Sequence, residues 1–280
     1  MPAGTPIETA HLFAELDDHL IDLLESLTHA EWTAPTIVPR WNVHQIAGHL
    51  LDTALRRLSM CRDGWVPRSD PVRSEDDLIE RVNRLNAEGV EMYGRLSPAV
   101  LLSLTTTTVA HLARYLASLD PMAPASLAVS WAGETRSANW FDIAREFTER
   151  WHHQQQIRLA VGKPSLLTPR FYEPVLETFM RALPRAYQGI DAPDGTVCQV
   201  VVPGDGGGTW QVLRGDGVWA LDFGVSHTRR TVASVTSLPG AIAWRVFTKG
   251  ISPLDARSQI TIDGDERLGA VILRARAIVG

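Results

Sequence analysis

The chain has 280 residues, 45% of them hydrophobic, and a formal net charge of -5. That length accommodates two ordinary domains, the apolar content excludes broad disorder, and the charge argues against nucleic acid as the main partner. No run reaches the roughly 18 apolar residues of a membrane helix, and the opening Met1-Pro2-Ala3-Gly4-Thr5-Pro6 lacks the basic and apolar regions of a signal peptide, so no membrane partner is expected.

Thr5-Pro6-Ile7-Glu8 reads as a capped helix start, with Thr5 as the cap and Pro6 at the first helical position. Ile7, Phe13, Leu16, Leu20, Leu23, Leu24 and Leu27 then form an apolar stripe to about Thr28. Thr28-His29-Ala30-Glu31 repeats the capping pattern, and Pro35 to Pro39 reads as an extended linker. A second helix starts at Asn42, with Gln45 completing the box. His49 sits in its apolar face between Ile46 and Leu50, whereas His44 points elsewhere and is expected at the surface. A lone histidine on such a face is ordinarily a hydrogen-bonded core residue.

A polar crossover follows Arg62 and ends in a helix start near Ser74. The helix after it is broken at Ser97-Pro98 and resumes to about Leu119. The fourth principal helix runs from Asn139, read as its N-cap, to the stop at Gly162-Lys163-Pro164. Glu149 and His153 are four residues apart on it and share a face.

Composition changes after Pro164. A helix is expected from Pro169 to about Ala186, followed by strands around Val197–Val202, Thr209–Leu213, Val218–Phe223 and Thr231–Val235. Gly215-Asp216-Gly217 marks a tight hairpin, and the Gly204–Gly208 stretch is a turn rather than a phosphate loop, since it lacks the Gly-Lys-Ser/Thr ending. A short helix over Pro239–Phe247, a strand at Gln259–Ile262 and a last helix from Glu266 to about Ala275 complete the chain. The expected architecture is α plus α+β: a four-helix bundle over residues 1–164, then a small α+β domain with an antiparallel sheet over 165–280. Cys61 and Cys198 lie too far apart in sequence to suggest a disulfide framework, and a reducing cytoplasm is the natural setting.

In a bundle with inward-facing ligand helices, His49 can meet Glu149 and His153. Two imidazoles and one carboxylate suit zinc or another first-row divalent metal, with positions open for water or substrate. The structural alternative is a buried polar network in which Glu149 bridges two histidines. A divalent ion so held lowers the pKa of a bound thiol or water, and a thiolate can add to a conjugated double bond, permit rotation and leave. His152, Gln156 and Arg158 are candidates for orienting groups around the ion. Arg229, Arg230 and Arg245 are candidates for holding an anionic ligand.

Two stretches resemble a known family. Trp41-Asn42-Val43-His44-Gln45-Ile46-Ala47-Gly48-His49-Leu50 is similar to a signature helix of DinB-like bundles, and Glu149-Arg150-Trp151-His152-His153-Gln154-Gln155-Gln156-Ile157-Arg158 to their second ligand helix. More narrowly, the chain resembles the mycothiol-dependent maleylpyruvate isomerase family, in which a DinB-like bundle precedes a sterol-carrier-like domain. Ile262-Asp263-Gly264-Asp265-Glu266-Arg267-Leu268-Gly269 is similar to the entry to that domain's last helix. The resemblance implies His49, Glu149 and His153 as zinc ligands and a low-molecular-weight thiol such as mycothiol as cofactor. It further implies a small electrophilic substrate and an isomerase or S-transferase reaction, in a monomer or homodimer. Two departures lie on the second ligand helix: Gln156 occupies a position usually taken by Asp, and His152 is an additional imidazole that could replace His153. Phe247-Thr248-Lys249-Gly250 lacks the family's Gly-Arg. A metal-dependent hydrolase is the alternative reaction. A non-catalytic carrier, with Trp210, Trp219, Trp244 and Phe247 lining an apolar pocket, is the alternative class.

Overall fold

Local side-chain caps start most of the helices in the first half of the chain. The computed structural model describes residues 5–66, 72–223 and 230–279. Residues 9–126 and 138–165 cluster into one compact unit, and residues 5–8, 127–137 and 166–278 into another. Among the described residues, no helix is long and apolar enough to cross a membrane.

In the first unit, α1 spans Phe13–Glu25 after a 3-10 turn at Ala10–Leu12. The helix therefore begins later than the Thr5-Pro6 signal suggests. Residues 5–8 belong to the other unit, where Arg181 Nη2 donates to the Thr5 carbonyl at 3.1 Å, so a tertiary bond overrides the local cap. The short α2 (His29–Trp32) and then α3 (Val43–Arg57) both start with full capping boxes, Thr28 with Glu31 and Asn42 with Gln45. A π-helical turn, Leu58–Arg62, extends α3. Next come α4 (Glu75–Tyr93), capped by Ser74 and Asp77, and α5 (Pro98–Ala117), with Ser97 as cap and Pro98 in its first turn. The expected break at Ser97-Pro98 thus separates two helices. Last is α6 (Asn139–Ala160).

The start of α6 also differs from expectation. Ala138 is the N-cap and makes no side-chain cap bond. Asn139 instead lies inside the helix, its N–H donating to the Ala123 carbonyl at 2.9 Å and its Nδ2 to the Asp120 carbonyl at 2.8 Å. Loop carbonyls here satisfy donors that a side-chain cap would otherwise serve. Gly162, at φ 64, follows the last turn, and Lys163 N–H closes back on the Arg158 carbonyl at 2.9 Å, the left-handed ending that favours glycine.

The apolar core of this unit joins Leu20, Leu23 and Leu24 of α1, Ile46, Leu50 and Leu51 of α3, Leu101 of α5 and Ile157 of α6. Helix α6 is buried round almost its whole circumference, polar residues included. A buried polar side chain must find a partner, so α6 is where the unit concentrates its internal hydrogen bonds.

The second unit opens with α7 (Pro169–Met180) and the short α8 (Leu183–Ala186), where one helix was expected. Strands β1 (Thr196–Val202), β2 (Gly208–Gly215), β3 (Val218–Leu221), β4 (Thr231–Ser237) and β5 (Thr261–Gly264) form one sheet in the order β3-β2-β1-β4-β5. β2 and β3 are joined by Asp216 and Gly217, both at positive φ, as a tight two-residue hairpin requires. The sheet is mixed rather than wholly antiparallel, because β4 runs parallel to β1. The β1-β2-β3 meander occupies one edge of β1 and β4 takes the other; side-chain alternation carries no information on strand direction. Helices α9 (Gly240–Phe247), α10 (Pro253–Arg257) and α11 (Glu266–Gly269) follow β4, with α11 packed on β4, α8 on β3 and α7 on β2. A 3-10 turn at Ala270–Arg274 ends the last expected helix early.

Candidate metal centre

Two elements of the first unit build the site. The capping box at Asn42 sets where α3 begins, and Ile46 and Leu50, both fully buried, fix the rotation that turns His49 inward. On α6, the four-residue spacing presents Glu149 and His153 side by side.

The donor atoms of His49, Glu149 and His153 all lie within 4.8 Å of one another. His153 Nε2 is 3.1 Å from Glu149 Oε1, and His49 Nε2 is 3.6 Å from the same oxygen. The two imidazoles are nearly out of water, at 2% and 8% side-chain exposure, while Glu149 is 25% exposed. The cluster is therefore closed on the histidine side and open on the carboxylate side. The rings of His49 and His153 meet edge to face with centroids 4.6 Å apart, and Trp41 lies against His49 at 4.9 Å.

Burial pushes His49 down to about 4, against the opposing hydrogen bond to Glu149. His152 is likewise pushed down to about 3, chiefly by burial. Burial alone would raise Glu149, but His152 and the hydrogen bonds from His153 and His49 outweigh it and hold the carboxyl well below its ordinary value. The arrangement is an ionised carboxylate facing neutral imidazole nitrogen.

The remaining sequence candidates separate. Gln156 Oε1 lies 2.7 Å from His153 Nδ1 and so belongs to the cluster's surroundings. His152 packs its ring 4.1 Å from that of His153, yet its Nδ1 is bound to the Thr148 carbonyl at 2.9 Å, and the three-donor group contains His153 in its place. Arg158 lies away from the cluster, on the α1 side: it donates to the Gln154 side chain and to the His19 and Pro164 carbonyls. Its role in this geometry is to tie α6 to α1. His44 is half-buried rather than at the surface, bonding the Leu96 carbonyl at 2.9 Å. Arg230 pairs with Asp222, Arg245 donates to the Gly250 carbonyl, and Arg229 lies outside the described residues. Trp219, Trp244 and Phe247 are buried in packing, Phe247 stacked on Phe179 and Trp219 bound to the Ile190 carbonyl; Trp210 donates to Glu177.

Two features escaped the sequence reading. Trp41 covers the His49 ring, a role that its place at the head of the family-like stretch Trp41–Leu50 did not disclose. One turn before Glu149, a buried ion network joins Asp142, Arg145 and Glu146 to Arg57 of α3. Residues 57 and 142 are 85 positions apart, and nothing in the sequence pairs them.

Comparison with known proteins gives this geometry a context. A family model described as the mycothiol maleylpyruvate isomerase N-terminal domain matches residues 13–158, more than half of the chain and all three residues of the cluster. The chain belongs to this family. Two solved structures share the fold of this family member. One, a mutant of the mycothiol-dependent maleylpyruvate isomerase, superposes with a TM-score of 0.56 at 14% identity, covering 95% of this chain and 96% of that one. Another, of the same named isomerase, gives a TM-score of 0.53 at 15% identity with the same coverage. At such identities the likeness speaks for the fold alone. No curated protein sequence matches the chain.

Proposed function

We propose that this member of the maleylpyruvate isomerase family is a metal-dependent enzyme that uses a low-molecular-weight thiol on a small electrophilic substrate, as an isomerase or S-transferase. The observation that supports it is the three-donor cluster: His49, Glu149 and His153 converge within 4.8 Å, buried on one side and open on the other. Two imidazole nitrogens and one carboxylate oxygen fit a zinc-like divalent ion and leave room for a further ligand. Such an ion, when bound, would supply Lewis acidity that makes a coordinated thiol nucleophilic near neutral pH.

The chain's own groups do the rest. His49, kept neutral by burial, offers a lone pair rather than charge, and His153 turns its Nε2 to the same carboxylate. Glu149 supplies the one negative charge and lies where solvent, thiol and substrate arrive. Trp41 shields the His49 ring from water on the closed side. The solved isomerase's dependence on mycothiol makes that thiol the first to test, and a cis-alkene conjugated to a carbonyl the first substrate class.

The test is elemental analysis of purified protein reconstituted with zinc, followed by turnover assays with mycothiol, bacillithiol and glutathione. One equivalent of zinc in the native protein is expected, with loss of at least ten-fold in affinity for His49→Ala and Glu149→Gln. Unchanged zinc content in both variants would sink the cluster as a metal site. Turnover without any thiol would replace the isomerase reading with hydrolysis.

A further inference from the structure

His49 and His153 face the same carboxylate but are held by different means. His49 Nδ1 is buried and has no hydrogen-bond partner among the described residues. On the Nδ1 side packing alone orients its ring, through Trp41 and the edge of His153, while Nε2 faces Glu149. His153 is held by a bond. Gln156, three residues further along α6, brings its Oε1 to 2.7 Å from His153 Nδ1.

That bond has a direction. An amide oxygen can only accept, so the bond to Gln156 is made when His153 Nδ1 carries the proton and donates it; Nε2 faces a second acceptor, Glu149 Oε1, and meets it either with a proton of its own or across a cation. With a cation in the cluster and the proton kept on Nδ1, the lone pair sits on Nε2, the atom that lies 3.1 Å from Glu149 and faces the cluster. The other tautomer would turn an N–H toward the place where a cation is to sit. Gln156 is itself buried, so its oxygen has little competing water.

The kind of acceptor matters as well as its position. A carboxylate in this place would share its negative charge with the imidazole through the same bond and strengthen Nε2 as a donor. An amide oxygen fixes the ring without passing on charge. The ion then keeps more of its own positive charge and acts more strongly on whatever occupies its open position, at a cost in how tightly it is held.

We propose that Gln156 is a positioning residue that locks His153 as the Nδ1–H tautomer and, as an uncharged acceptor, sets the site to hold its metal less tightly than a carboxylate would. This rests on the metal reading of His49, Glu149 and His153. It goes beyond that reading by assigning a residue that touches neither metal nor substrate, and by giving the sign of its effect. The competing account is that Gln156 is a satisfied buried amide with no bearing on the site.

The experiment compares the native protein with Gln156→Leu and the near-isosteric Gln156→Glu. The first readout needs no metal: nitrogen NMR of the His153 ring in metal-free protein. Native protein is expected to show Nδ1 carrying a proton, and Gln156→Leu to move the proton to Nε2, where Glu149 accepts it. The second readout is zinc affinity by competition with a chromophoric chelator. Gln156→Leu is expected to bind at least ten-fold more weakly and Gln156→Glu about ten-fold more tightly. The third is the visible spectrum of the cobalt-loaded protein, which should shift in both variants.

A single unchanged tautomer in Gln156→Leu overturns the lock. Zinc affinities for Gln156→Glu no higher than native overturn the tuning, and that variant carries the test if Gln156→Leu fails to fold. Native protein that binds no zinc overturns the metal reading, and the tuning with it, while the tautomer measurement still decides the lock.

Discussion

Helix α6 carries two charged clusters on neighbouring turns, and they are built on opposite plans. In the earlier one, Asp142 is wholly buried and accepts from Arg57 of α3 and from Arg145, whose Nη2 also reaches Glu146 at 3.0 Å. Two cations meet two carboxylates, and the charge closes on itself. In the later one, Glu149 meets His49 and His153, and no arginine or lysine hydrogen-bonds to it among the described residues. Burial of an ion pair is tolerable only when both partners are present. The first cluster therefore reads as structure, and the second, a carboxylate between two imidazoles with no arginine or lysine bonded to it, as a place made for something else.

The sharpest break between the two plans is stability against binding. Asp142→Ala leaves Arg57 and Arg145 buried without their acceptor and should cost about 3–5 kcal/mol in urea unfolding. Glu149→Gln should cost only about 1 kcal/mol while abolishing tight zinc binding. Equal stability losses would erase the distinction. Acid sharpens it further. Burial would raise Asp142, but Arg145 and Arg57 together hold it below its ordinary value. A carboxyl lowered in the folded state stabilises above its unfolded pKa, and that stability drains away as pH falls from about 4 through the folded pKa. Asp17 works in the opposite sense: burial raises it despite Arg150, so it opposes folding as pH climbs past its unfolded value. Stability followed from pH 5 to 2 should decline in native protein, and the decline should be shallower in Asp142→Asn.

Next in size is Gly89 on α4. A Cβ there would lie 2.4 Å from the Asp52 carboxyl carbon on α3, the helix that carries His49. Gly89→Ala should cost about 1–3 kcal/mol through overpacking and disturb zinc binding only as far as α3 shifts. A thermal melt with parallel zinc titration checks both. Smallest is Thr28→Ala, which removes an exposed capping box whose bonds run only between Thr28 and Glu31. About 1 kcal/mol of stability should go, with zinc affinity unchanged, so this variant calibrates the others.

What could be read from the sequence was what is local. Thr28 with Glu31, Asn42 with Gln45, and Glu149 with His153 are pairs three or four residues apart, and helix geometry makes such pairs neighbours without help from the fold. His49 needed a second helix to acquire meaning, and family resemblance supplied the link. Features that depend on distant partners were misread or missed. Thr5-Pro6 has the local signature of a helix start, yet Thr5 is held by Arg181. Asn139 has the residue type of a cap, yet the Asp120 carbonyl takes its side chain. Arg158 has the residue type of a carboxylate-binding group, yet the Gln154 side chain and the His19 and Pro164 carbonyls occupy it. The direction of β4 and the pairing of Arg57 with Asp142 leave no periodic trace at all.

The stretch of residues 127–137, which holds a 3-10 turn at Ser130–Ala132, carries a consequence for synthesis on the ribosome. It lies between α5 and α6, yet it clusters with residues 166–278, and the Ser130 carbonyl is bonded by Arg185. A nascent chain released as far as α6 can assemble its helices but leaves this stretch waiting for residues not yet translated. Folding is thus expected to finish in the order of packing rather than of emergence. A gene fragment cut after residue 164 should yield a helical product with residues 127–137 open to protease, and adding the rest of the chain should close that site.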